Sequence, residues 1–294
     1  MSVELVEDKL NISVKDTEYS LSLIGSTLTS WKVNGKELIF NSKNSKLDGK
    51  SEYFGGIPLV FPQFALVKEP NPAHKLPIHG VIRLLSFVYI EENTQTFDDK
   101  VIVSLGINSA LFRLQNPNLH ELYPYKFSYT STYTFCAETL QISVKVDNLD
   151  FEDLWVTPLF HNYFKVKSIH ETKLKGFEGI QYWDKNDKDQ TEPKLNEIKE
   201  LSITKGIDNI YLNSITSDDK VITLIEDSYK LELNATGLKD TVVWNPWSLG
   251  GSYGLKENDY ENFLCVELGQ VMDPYKIKKE QSWEYSQTIK FIPN

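Results

Sequence analysis

Leu140-Gln141-Ile142-Ser143-Val144-Lys145-Val146 alternates apolar and polar side chains without a break. That period belongs to a strand with one buried face, because successive side chains leave a pleated backbone on opposite sides. The same pattern recurs in Leu10-Asn-Ile12-Ser-Val14, Tyr19-Ser-Leu21-Ser-Leu23 and Tyr229-Lys-Leu231-Glu-Leu233-Asn234. Between residues 28–33 and 37–40, Asn34-Gly35 supplies the positive φ angles that a tight hairpin demands. Further strands are expected at 101–107, 127–135, 221–225, 242–244 and 283–291. No long stretch carries a helical period. The expectation is an all-β chain of large antiparallel sheets packed face to face, with one concave outer face left free for a ligand. The polar stretch 184–200 reads as a surface excursion within a single domain spanning 1–294.

Composition narrows the function. The 294 residues, 40% of them hydrophobic, can bury a sizeable core. A net charge of −10 argues against nucleic acid or an anionic membrane surface as the main partner. The acidic amino terminus and the lack of an 18-residue apolar run predict a soluble, cytoplasmic protein. Cys136 and Cys265 lack metal-type spacing and are expected as reduced core thiols.

Chemistry concentrates in a few places. Phe263-Leu-Cys-Val-Glu267-Leu-Gly269 and Thr157-Pro-Leu-Phe-His161-Asn-Tyr163-Phe164 each set one titratable group in an apolar strand. Burial and mutual proximity could bring both pKa values towards neutrality and make the two a base and acid pair. A hydrogen-bonded core histidine and an outward-facing glutamate are the plain alternatives. Phe54-Gly-Gly-Ile-Pro-Leu-Val-Phe-Pro-Gln-Phe64 reads as a sharp, buried bend. Beyond it, Ile78-His79-Gly80-Val-Ile-Arg83 offers an imidazole and a guanidinium. The chain has only two arginines, Arg83 and Arg113, so Arg83 points either to a bidentate contact with a ligand or to a salt bridge. Val243-Trp244-Asn245-Pro-Trp247 offers aromatic faces and an amide suited to a sugar, or simply core filling. His74, His120 and His170 sit in polar, loop-like contexts.

Taken in order, Gly55-Gly-Ile-Pro58, Phe61-Pro-Gln63, Pro77-Ile-His79-Gly80 with Arg83, His161-x-Tyr163-Phe164, Asp208-Asn-Ile-Tyr211, Trp244-Asn-Pro-Trp247 and Cys265-Val-Glu267 resemble the hexose-6-phosphate mutarotases of the galactose-mutarotase-like superfamily. The resemblance covers nearly the whole chain. It implies a β-supersandwich and anomer exchange of glucose 6-phosphate, with an unphosphorylated aldose or a noncatalytic sugar-binding role as alternatives. It assigns deprotonation of the anomeric O1 hydroxyl to Glu267 and protonation of the ring oxygen to His161. It carries over His79, Arg83 and Asp208 as substrate-binding groups, with no cofactor, no metal and a monomer. Four positions depart from the family pattern: Phe54 stands where an arginine is usual, Ile78 for glutamine, Asn209 for arginine and Leu268 for proline. The first two bear on the substrate, because charge-assisted contacts worth roughly 1.5–3 kcal/mol each are missing.

Overall fold

The alternating segments become strands with the expected buried faces. In this computed structural model, which describes residues 1–217 and 220–294, the opening segment lies in Thr139–Asn148, and its Leu140, Ile142, Val144 and Val146 are all buried. This strand pairs antiparallel with Phe127–Cys136 on one side and Ser282–Pro293 on the other. All three belong to a ten-stranded antiparallel sheet that also contains Lys100–Asn108, Tyr229–Thr236 and Ile222–Ile225.

An eight-stranded sheet carries the candidate site. It runs Lys194–Leu195, Gln181–Asp184, Ile207–Tyr211, Asp240–Asn245, Phe263–Gly269, Leu159–Phe160, Leu59–Val60, with Tyr163–Lys165 also pairing on Phe263–Gly269. A five-stranded sheet built from Ser2–Val6 to Lys36–Glu37 completes the main framework. One continuous core joins them: Leu140 and Ile142 from the ten-stranded sheet, Val266 and Leu268 from the eight-stranded sheet and Ile12 from the five-stranded one share it. Each such side chain contributes about 1.5–3 kcal/mol by leaving water, which makes this interface the main source of stability.

Local chemistry explains the boundaries. Asn34 and Gly35 take φ values of 50° and 77° and turn Thr27–Val33 into Lys36–Glu37. The strand expected at 37–40 stops early because the Glu37 carboxylate accepts the amides of Trp31 (2.9 Å) and Ile39 (3.0 Å). The stretch 184–200 is more than an excursion: Lys194–Leu195 folds back on Gln181–Asp184 and forms the edge of the eight-stranded sheet. Two short helices, Ser109–Gln115 and Pro117–Leu122, were not expected, because neither is long enough to register a period. Asn108 and Asn116 cap them by accepting the amides of Leu111 and Leu119. Among the described residues no helix is long and apolar enough to cross a membrane.

Candidate active site

Strand register assembles the site. Phe263–Gly269 is buried along its whole length: Leu264, Val266 and Leu268 face the shared core, so Cys265 and Glu267 face the other way. On one side Val242 lies beside Glu267 and Trp244 beside Cys265, and the next strand sets Asp208 beside Trp244. On the other side Leu159 pairs with Gly269 and Tyr163 with Cys265, which brings the intervening His161 level with Glu267. Side chains opposite one another across such strands stand within contact distance. The result is a groove of about 240 Å³ whose lining includes Asp208, Trp244, Glu267, His161, Tyr163 and His79.

The two titratable groups approach closely. His161 Nδ1 lies 3.5 Å from Glu267 Oε1, with the two side chains 11% and 1% exposed. Both Nδ1 and the other carboxyl oxygen, Oε2, are buried without a hydrogen-bond partner. Unpaired buried polar atoms are rare because each forfeits its hydration, and here they sit at the floor of a groove. The Tyr163 ring stacks on His161 at 4.6 Å and 5°, and His79 meets it edge-on at 5.3 Å, so the imidazole is held in one plane. Burial lowers the His161 pKa well below the usual imidazole value, with the charges of His79 and Arg83 adding to it. Burial raises Glu267 well above the usual carboxyl value, with Asp208 adding. Both shifts favour the uncharged form of the pair, a carboxylic acid beside a neutral imidazole.

His79 is oriented by its own loop. Its φ is 63°, and its Nδ1 accepts the Ala65 amide at 3.2 Å, which assigns the proton to Nε2. Burial, then Arg83, lowers its pKa to about 3, so it serves as a neutral donor. Asp208 is raised to about 6 by burial and by Asp184, against the pull of Lys185.

Arg83 is the exception among the five residues singled out. Its guanidinium lies behind the groove wall: Nη2 donates to the Ile78 carbonyl at 2.7 Å and Nη1 lies 3.3 Å from Glu52 Oε1. Glu52, which the sequence reading passed over, lines the groove in its place, together with Phe64, Val242 and Tyr253. No residue pattern marks Glu52. Phe54 and Ile78 both line the groove as well. Of the 243–247 segment only Trp244 reaches it; Asn245 donates to the carbonyls of Tyr260 and Phe263, and Trp247 packs on His170 and Tyr260.

The sequence model of the aldose 1-epimerase family matches residues 8–290. The chain belongs to the aldose 1-epimerase family. An Escherichia coli (strain K12) protein with the provisional name glucose-6-phosphate 1-epimerase is 26% identical over 300 residues, covering 96% of this chain and 91% of its own. A Cenchrus ciliaris protein with the same provisional name is 26% identical over 281 residues, covering 92% and 80%. Among solved structures, a provisional mutarotase from Salmonella typhimurium superposes with a TM-score of 0.83 at 21% identity, covering 100% of this chain and 94% of its own. Slr1438 from Synechocystis sp. PCC 6803 gives 0.78 at 18% identity, covering 100% of both. The architecture is thus that of the galactose mutarotases, and an aldose 1-epimerase is an isomerase.

In this epimerase a buried amide pair braces the site. Asn162, next to His161, exchanges two hydrogen bonds with Gln287 (2.9 and 2.8 Å) and donates to the carbonyl of Val266, next to Glu267 (2.8 Å). All of these partners are buried. Asn162→Leu strands the Gln287 amide and the Val266 carbonyl, and is expected to lower stability by about 2–4 kcal/mol in urea unfolding. An unchanged midpoint would show that the pair carries no load.

His161, Cys265 and Glu267 present three donor atoms within 4.8 Å of one another, the only such group among the described residues. Burial, then Glu267, raises the Cys265 thiol well above its usual value, and the residue packs with Phe40, Phe54, Tyr163 and Phe263.

Proposed function

We propose that Glu267 and His161 exchange the anomers of an aldohexose by opening and reclosing its ring. The observation that carries this is the facing pair itself: two buried groups 3.5 Å apart, each with an unpartnered polar atom, at the floor of a groove. Ring opening removes a proton from the O1 hydroxyl and delivers one to the ring oxygen, and reclosure reverses both transfers. A pair holding one proton in total can do this in either direction. In the empty groove the raised Glu267 and lowered His161 values favour that proton on Glu267. A sugar whose O1 hydroxyl donates to the carboxyl and whose ring oxygen accepts from His161 favours the carboxylate and imidazolium form instead. His79 Nε2–H and Asp208 would fix the hydroxyls, and the Trp244 and Tyr163 rings would cover the apolar C–H face.

The relatives' names bring glucose 6-phosphate to this chain as a substrate. The groove supports a sugar without phosphate better, because none of its thirteen lining residues is a lysine or arginine. Exchange NMR of glucose, galactose and glucose 6-phosphate, read as acceleration over the buffer rate, tests the reading. If no sugar is accelerated, it fails.

The one-proton requirement also predicts a bell-shaped pH profile. Activity falls on the acid side when the pair holds two protons and on the alkaline side when it holds none. Asp208 raises the pKa of Glu267, so Asp208→Asn removes that push and shifts the alkaline limb to lower pH. A variant with weaker binding but an unmoved limb would separate Asp208 from the acid–base pair.

A further inference from the structure

Resting on the acid–base reading above, we infer that Glu52 determines the substrate class: it ties Arg83 into the wall and leaves a groove for an aldose that bears no anionic group. A guanidinium is well suited to binding anions, yet here it is turned into the wall. One nitrogen faces the Glu52 carboxylate at 3.3 Å, a second donates to the Ile78 carbonyl at 2.7 Å, and the third, Nε, is buried without a partner. The Arg83 side chain is 10% exposed and Glu52 38%, so the member of this ion pair that a ligand meets is the carboxylate.

The rest of the lining adds no positive charge. Asp208 adds a second carboxyl, burial favours the uncharged acid form of Glu267, and both histidines are held neutral by burial and by Arg83 behind them. Lys185 lies near enough to pull down Asp208 but is not part of the lining. A sugar phosphate carries between one and two negative charges near neutral pH. Lodged here it would lose hydration beside Glu52 and Asp208, with no lysine or arginine in the described lining to replace it. A neutral sugar meets complementary chemistry: its hydroxyls donate to Glu52, an acceptor when ionised, and its C–H groups lie against Phe54, Phe64 and Ile78. Arg83 in turn acts through space, its positive charge adding to the burial that keeps His79 and His161 neutral.

The test is exchange NMR with the full chain and with Glu52→Gln, measuring kcat/KM for glucose, galactose and glucose 6-phosphate on the same samples. The ratio of free to phosphorylated sugar is insensitive to the fraction of protein that is folded. The expected result is a ratio of at least tenfold in favour of a free aldose in the unsubstituted protein. In Glu52→Gln, with Arg83 released from its partner, the ratio should move at least tenfold towards glucose 6-phosphate. A preference for glucose 6-phosphate in the unsubstituted protein, or a ratio that Glu52→Gln leaves in place, overturns the inference while the mutarotase reading stands. No acceleration of any sugar sinks that reading and this one with it.

Discussion

Glu267→Gln is expected to abolish accelerated anomer exchange, with a loss of about 10²–10⁴-fold, the range of a positioned acid–base group. The amide fills the same volume and keeps Val266 and Leu268 in the core, so the architecture should survive. What it cannot do is hold and release the proton shared with His161 across 3.5 Å. A second readout follows from the pKa. Because the folded-state value is raised well above 4.5, the folded protein binds more protons than the unfolded one between the two values. The stability contributed by the acid form is complete below about pH 4.5 and declines as pH rises towards the folded value. The amide has no such term, so the variant should gain stability relative to the unsubstituted protein as pH rises. Retained activity with an unchanged pH dependence of unfolding would remove Glu267 from the mechanism. Retained activity alone would leave the buried acid in place without a catalytic role.

Much of this site was legible because strands write their faces into the sequence at a spacing of two. Cys265 and Glu267, and Trp244 and Val242, are each two residues apart on one strand face; His161 sits instead in the two-residue break between Leu159–Phe160 and Tyr163–Lys165, where a single continuous strand was expected. What a single sequence does not write is which strand lies beside which. Residues near 161 and 267 meet because separate ladders fix Leu159 on Gly269 and Tyr163 on Cys265. The order of motifs in a known family supplied that pairing; hydropathy did not. Arg83 shows the converse limit. Its scarcity in the chain marked it as special, but its partner Glu52 is one acidic residue among 41, and nothing local says that a carboxylate will close on it. The helices at 109–122 escaped notice for a different reason: their asparagine caps are visible, but runs of seven and six residues are too short to show a period.

Gly80→Ala is expected to be the most destabilising conservative change near the site. A Cβ at this position would lie 2.2 Å from the Phe61 carbonyl oxygen, 2.6 Å from its carbon and 2.8 Å from the Pro62 nitrogen. All three atoms are backbone, so no side chain can swing away. Neither partner is free to retreat: the Val81 amide donates to Phe61 O at 2.9 Å, and the Thr157 amide to Pro62 O at 2.8 Å. Gly35→Ala is the control. Its φ of 77° matches the 72° of Gly80, but nothing lies within 4 Å of the added carbon. The left-handed conformation alone should lower the stability of Gly35→Ala by about 1–2 kcal/mol. Gly80→Ala carries that strain plus the collision, for a total on the order of 3–5 kcal/mol. Chemical denaturation of the two variants separates the terms by subtraction. Because His79 adjoins the collision and aims its Nε2–H through the Ala65 contact, Gly80→Ala should also weaken sugar binding, whereas Gly35→Ala should not. Equal stability losses in the two variants would mean that the 79–80 loop and the 61–62 bend are not in contact, and with them would go the account of how His79 is aimed.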